Sequence, residues 1–495
     1  MVETGQVPPK GPRPQRNFLR DYDLMLKVMQ QDYVDCARYV ASGYAEFIGQ
    51  LYTLNSGMFQ SPVYCDHILT QMAMHYLAWY QDPSVRLEVG PGAAWHMAQT
   101  YGTQRCGDAL YVVWAQEGSP VLVGERIVGV NKKTLEEIRP EVERMLHTTV
   151  EPVDHEREDW SLVLAFAKHL TVIGTDGTER TIKVVPGESA VTGRMRCLYA
   201  GRGEGPAAGE ERGEVCGGTG GRSREACTLS WHGPVAVLTL HDLGAEGFST
   251  LLEEALGELA SAVERPRGLV VDVRGATGGV WDEVYPLMPY LLRDGAKATP
   301  ADAFGVPGVL LNCSRRNVDE RLAALDGIRS TLVGGDGALL EGASLEELGQ
   351  VDALMGELTA LKGCGLQADE TDYYTPAEFV GVGEVPVVVL ADQHTADGAE
   401  WLAKATVRLR AADLGRALLV GRATCGSIDN TCLREVRLDE DFVLTVPTAK
   451  YLAALGGDAT LGRGVIPHVK LAWTQEQLER DVELEQACAL LGENA

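Results

Sequence analysis

Two things are scarce in this chain of 495 residues: positive charge and long apolar runs. Lys and Arg number 44 against 70 Asp and Glu, a net charge of -26. Phosphate backbones are bound by clustered cations, so nucleic acid is an unsuitable partner, and so is an anionic membrane surface. No stretch approaches the apolar length that spans a bilayer. The segment from Met1 to Asn17 is polar, holds Pro8, Pro9, Pro12 and Pro14, and has no apolar core of the kind a signal peptide needs. A cytoplasmic location is the expectation. The eleven cysteines form no Cys-x-x-Cys pair. Cys216 and Cys227 read as loop residues and the others lie in apolar segments, which predicts buried reduced thiols rather than disulfides or a metal site. No metal and no cofactor is expected.

Hydrophobic residues make up 45% of the chain, enough to build real cores. The length exceeds what one core supports, so two or three domains are expected. Over residues 17–100 apolar side chains recur at helical spacing. Leu19, Tyr22, Leu24, Met25, Val28 and Met29 form one stripe. Cys36, Tyr39, Val40, Phe47, Ile48 and Leu51 form a second, and Ile68, Leu69, Met72, His75, Tyr76 and Trp79 a third. The region reads as a helical domain.

Residues 101–190 have a different texture. Ala109–Trp114 reads as a strand, Glu117-Gly118-Ser119-Pro120 as a turn, and Val123–Asn131 as a second strand. Thr134 with Glu137 three residues later predicts a capping box. Further strands are expected near Leu170–Gly174 and Arg180–Val185. The order of strand, Gly-Ser-Pro turn, strand and helix resembles a PDZ domain, a module that takes an extended peptide onto a sheet edge. Arg105-Cys106-Gly107 stands where that resemblance implies a carboxylate-binding loop. Residues 198–227 are rich in Gly, Glu and Arg and read as a mobile linker. The pairs Gly217-Gly218 and Gly220-Gly221 follow no strand and lack a Lys-Ser/Thr signature, so they make no phosphate loop.

From 228 to 480 strands and helices alternate. Val235–Leu240, Gly268–Val273, Val385–Leu390 and Ala417–Gly421 read as strands. Phe248–Val263 and Gly398–Leu409 read as helices, and Val280–Leu292 as one kinked by Pro286 and Pro289. This alternation predicts an α/β core with a mainly parallel sheet. Residues 293–384 read as an acidic, mostly helical insertion.

Four motifs in this core occur in a fixed order: Asp272-Val273-Arg274-Gly275-Ala276-Thr277-Gly278-Gly279, Thr395-Ala396-Asp397-Gly398-Ala399-Glu400, Val420-Gly421-Arg422-Ala423-Thr424-Cys425-Gly426-Ser427 and Gly462-Arg463-Gly464-Val465-Ile466-Pro467-His468. Together they resemble the C-terminal-processing, or tail-specific, serine peptidases, with the tricorn core and interphotoreceptor retinoid-binding protein as relatives. The resemblance spans roughly Leu229–Val469. It implies a ClpP/crotonase-like core behind a helical front and a PDZ-like module. It also implies a peptide or unstructured protein segment as partner, and admits a homo-oligomer. Gly278, Gly279 and Gly398 would line the substrate and oxyanion side.

The departures fall on the catalytic positions. The resemblance places the nucleophilic serine at 397, which is Asp397. The base lysine belongs at 427, which is Ser427. The histidine base of the tricorn-related branch belongs at 84, which is Ser84 in Asp82-Pro83-Ser84. A serine peptidase needs a hydroxyl beside a base, and these expected groups are absent together. Thr395 and Ser427 offer hydroxyls, and His394 and His468 offer bases. A substitute triad of Asp397, His394 and Ser427 is therefore one alternative. The other is a family member that has kept its peptide groove and lost hydrolysis. A third, a different reaction on a peptide, stays open.

Overall fold

A computed structural model describes residues 18–36, 73, 76–78, 80–89, 100–146, 155–165, 167–184, 226–334, 338–340, 342–383, 385–455 and 457–492. Most of the second and third apolar stripes, and the linker up to residue 225, lie outside the described residues.

The central sheet has six strands. In spatial order they are Val469–Lys470, Leu418–Gly421, Val387–Ala391, Gly268–Asp272, Val235–Leu240 and Cys227–His232. The last pairing is antiparallel and the other four are parallel. Strands covered on both faces read as continuous Val and Leu runs, and the alternation within them sorts the faces. Ala236, Leu238, Leu269, Val271, Val389 and Leu419 enter one apolar cluster with the helices Phe248–Ser261 and Asp397–Ala411. Val235, Val237, Val270, Val388, Leu390 and Val420 enter another with Ala487, Cys488 and Leu491 of the helix Val482–Gly492. In parallel register Asp272 lies opposite Leu390, and Ala391 opposite Gly421. The three loops that follow these strands therefore leave the sheet side by side, where open α/β sheets bind ligands.

The second body joins the helix Phe18–Gln31 to an antiparallel sheet of Tyr101–Cys106, Ala109–Ala115, Arg126–Val130, His169–Ile173 and Glu179–Lys183. Tyr22, Met25, Val28 and Met29 are buried with Leu110, Ile127 and Leu170 in one core. Thr134 caps the helix Leu135–Val142, and Glu137 closes the capping box. Arg105 is not free for a ligand carboxylate. It lies inside a strand, 3% exposed, with Nη1 2.6 Å from Glu158 and Nη2 2.5 Å from Glu136.

Four expectations need correcting. The front is not wholly helical: Arg86–Val89 is a strand paired antiparallel with Phe442–Tyr451. Pro83 bars a helix through its neighbourhood, and Val85 and Leu87 then alternate inward. Residues 293–384 are not only helical. Val309–Asn312 pairs with both Phe442–Tyr451 and Leu366–Asp369, around the helices Arg315–Leu332 and Leu345–Leu361. The stretch after Val280 is a 3-10 helix, Trp281–Leu287, with one short α-helical turn, Met288–Leu291, because two prolines remove the hydrogen-bond donors of a longer helix. Cys227 is buried in a strand rather than in a loop. The eight described cysteines, Cys36, Cys106, Cys227, Cys313, Cys364, Cys425, Cys432 and Cys488, are free thiols.

Candidate active site

Asp397, Ser427, Ser84 and Gly278 come together at the carboxyl ends of the core strands. Asp397 is the first residue of the helix Asp397–Ala411, and its backbone is left-handed, with φ 53°. Such a conformation is uncommon outside glycine and marks a constrained turn. The sequence reading starts this helix one residue later, at Gly398. The cap position is Ala396, which supplies no side-chain bond. The left-handed turn sends the Asp397 carboxylate across the loop, where Oδ2 accepts from the Gly278 N–H at 3.0 Å. The Asp397 N–H donates to Ser427 Oγ at 2.9 Å.

Gly278 and Gly279 are also left-handed, with φ 77° and 67°. A Cβ at Gly278 would stand 2.6 Å from Asp242 Oδ1, so only glycine fits this crossing without displacement. Gly398 donates its N–H to the Gly278 carbonyl at 3.0 Å. Two of the three glycines expected to face a substrate oxygen thus have their N–H groups committed, one to Asp397 and one to the neighbouring loop.

Ser427 lies on the opposite wall. Its hydroxyl donates to Glu400 Oε2 at 2.9 Å, and its N–H donates to the same oxygen at 2.7 Å. Glu400 Oε1 accepts from the Gly426 N–H at 2.7 Å and from the Thr424 hydroxyl. Glu400 is fully buried and ties the whole 424–427 loop to the helix of Asp397. The Ser84 hydroxyl donates to the Ser427 carbonyl at 3.4 Å. Its N–H donates to buried Asp82, whose carboxylate also takes Tyr33 Oη and Asn430 Nδ2. Ser84 therefore reaches the backbone of the 427 loop.

The substitute triad is not assembled. The single Ser427 proton goes to Glu400 and the Asp397 carboxylate goes to Gly278, so neither residue bonds His394. The His394 N–H donates to Asp392 at 3.0 Å, and its ring lines a separate cavity. Asp392 also accepts from the Gly275 N–H. Burial opposes its ionisation, but His394 and Arg422 outweigh burial and hold its carboxyl below the usual range. Thr395 donates its hydroxyl to the Val273 carbonyl at 2.8 Å and is fully buried. His468 accepts from the Leu419 N–H through Nδ1 at 2.9 Å, tying it to the sheet rather than to the site.

Glu400 closes the second motif, but the sequence reading gave it no role. The signal was one carboxylate between Ala399 and the apolar run Trp401-Leu402-Ala403, on a helix whose first turns are buried. Burial, against four donors, pushes its carboxyl up to about 7. The folded value lies above the unfolded one, so the folded chain holds the proton more tightly and this group's contribution is greatest at low pH. It is expected to be lost as pH rises from about 4.5 to about 7, by about 3 kcal/mol. Denaturant melts from pH 4.5 to 8, compared with Glu400→Gln, check this. An identical pH slope in both proteins would refute it.

Among the described residues no group of three or more His, Cys, Asp or Glu side chains is disposed to hold a metal. Among them, too, no helix is long and apolar enough to cross a membrane.

Comparison with known proteins bears on the fold. No curated protein sequence matches the chain. Among solved structures, mature CPAF superposes with a TM-score of 0.53 at 14% identity, covering 97% of this chain and 98% of that one. Mature CPAF complexed with lactacystin gives 0.50 at 16% identity, covering 97% of both. At such identities the likeness speaks to the fold. The photosystem II D1 C-terminal processing protease is a looser neighbour, at 0.38 and 15% identity over 97% and 98% of the two chains. The model of peptidase family S41 matches residues 234–471, the segment that holds five of the six strands of the central sheet and all four motifs. This core carries the chain's likeness to peptidase family S41.

Proposed function

We propose that this protein binds extended polypeptide in an S41-type groove and does not hydrolyse it. The observation that carries this reading is the Asp397 carboxylate at the nucleophile position, hydrogen-bonded to the Gly278 N–H. An acyl-transfer site needs a hydroxyl there, and it needs that N–H for the developing oxyanion. A carboxylate bound to the donor removes both at once and puts negative charge where negative charge must form. The binding half of the reading relies on what the substitutions spare. These are the glycine turn at 278–279 and the antiparallel sheet of residues 101–183, which we read as PDZ-like and suited to taking a peptide as an added strand.

A second reading, a peptidase with a rearranged site, is favoured by one contact: Ser427 Oγ lies 2.9 Å from Glu400, a carboxylate near neutrality. Incubation with an unstructured protein ending in a hydrophobic C-terminus separates the two. The expected result is saturable binding, with no cleavage above buffer over days. Cleavage abolished by Ser427→Ala would overturn the first reading and establish the second.

A further inference from the structure

A small cavity of about 20 Å³ lies where the three parts of the chain meet. Gln81 and Pro83 come from the front, Thr103 and Arg157 to Asp159 from the second body, and Gln393, His394, Cys425 and Gly462 from the core. Three of the four segments of the candidate active site send a near neighbour to its wall. Pro83 precedes Ser84, His394 lies three residues before Asp397, and Cys425 two before Ser427.

Two acceptors on this wall are buried and lack a hydrogen-bond partner. Asp159 is 8% exposed; Oδ1 accepts from the Ser161 N–H, while Oδ2 accepts nothing. Gln393 is 9% exposed, and its Oε1 is likewise unmatched. The orientation of that amide is fixed by its neighbour. Gln104 spends its Nε2 on the carbonyls of Arg105 and Glu156, so its Oε1 must receive Gln393 Nε2, which it does at 2.5 Å. Gln393 is left presenting its oxygen. The other charges on the wall are committed. Glu158 is neutralised by Arg105 and Arg139. Arg157 turns Nη2 to the carbonyls of Thr424 and Cys425. A buried carboxylate oxygen and a buried amide oxygen without donors are each costly, and native structures supply such groups with a partner.

We propose that this cavity receives the primary ammonium of a lysine side chain on the bound polypeptide. An ammonium is about the size of a water, carries several N–H donors and brings the charge that Asp159 lacks. A guanidinium or an aromatic ring exceeds the space. The proposal rests on the polypeptide-binding reading above and adds a preference to it: a lysine anchors the segment beside the former catalytic loops.

Because the whole chain is acidic, the test separates N–H donation from charge. The full-length protein is titrated with n-butylammonium chloride and, in parallel, with tetramethylammonium chloride, which has the same charge and no N–H. Binding is read by ligand-observed NMR. Two otherwise identical unstructured peptides, one with lysine and one with trimethyllysine, are then compared by fluorescence anisotropy. The expected result is butylammonium binding without tetramethylammonium binding, and at least about ten-fold tighter binding of the lysine peptide, a difference of about 1.4 kcal/mol. Asp159→Asn should erase both differences. Gln393→Leu should reduce them and serves if the first variant does not fold. Equal binding of the two ions or of the two peptides, as a cavity filled only by water would give, overturns the lysine site and leaves polypeptide binding standing. Butylammonium binding that depends on Asp159, with neither peptide bound, keeps the ammonium site and removes the polypeptide reading.

Discussion

Asp397→Ser by itself is expected to leave the protein unable to hydrolyse peptides, while Asp397→Ser combined with Ser427→Lys is expected to raise hydrolysis measurably. The single change restores the hydroxyl and frees the Gly278 N–H that Asp397 now occupies. A freed oxyanion donor is worth roughly 10²–10³ in rate. No base comes with it: the residue beside position 397 is Ser427, which spends its proton on Glu400. Loss of nucleophile or base in such sites costs on the order of 10⁴–10⁶. A lysine at 427 supplies general-base catalysis of roughly 10²–10⁴. Single-turnover cleavage of a fluorogenic peptide by the three proteins is the measurement. Efficient cleavage by the unaltered chain, or equal rates for the single and double variants, would show that some other group acts as base.

Glu400→Ala is expected to be the most damaging single substitution near the site. Four donors converge on that carboxylate: the Thr424 hydroxyl, the Gly426 and Ser427 N–H groups and the Ser427 hydroxyl. Alanine leaves all four buried without an acceptor. Their costs do not add fully, and a loss of about 3–5 kcal/mol is expected. That corresponds to a fall in melting temperature of about 3–5 °C if the 495 residues melt together. Polypeptide binding should weaken with it, because the 424–427 loop loses its tie to the helix of Asp397. Melting followed by circular dichroism decides the matter: a shift below about 2 °C would mean that the loop is held by other contacts, the Thr424 hydroxyl's acceptance from the Val465 N–H first among them.

The sequence made different parts of this architecture legible for different reasons. Val270, Val388 and Val420 sit in short apolar runs that only a doubly covered sheet accommodates, and those runs are found as buried strands. Thr134 and Glu137 announce a helix start through their own chemistry. Arg86–Val89 and Val309–Asn312 were illegible because a four-residue strand has too few alternations to declare itself, and both are fixed by a distant partner, Phe442–Tyr451. Glu400 and Arg105 were misjudged for one reason. A charged residue reads as solvent-facing, and nothing local reveals that its counter-groups arrive from elsewhere in the chain, as Gly426 and Ser427 do for Glu400 and Glu158 for Arg105. The closeness of Asp397, Gly278 and Ser427 came from the family motifs and not from any local pattern.

The helix Val482–Gly492 lays Ala487, Cys488 and Leu491 against the core strands. Just before and at its start, Asp481 and Glu483 meet Arg274, and Glu483 also meets Arg422; these arginines open two of the three site loops. During synthesis Arg274 emerges with Asp272 beside it, but both Arg274 and Arg422 emerge before Asp481 and Glu483 do. Until Glu483 leaves the ribosome, closing the sheet would bury two guanidinium groups with too few acceptors, which is strongly unfavourable. The loops that Arg274 and Arg422 open are therefore expected to set only once Glu483 is available to pair with them.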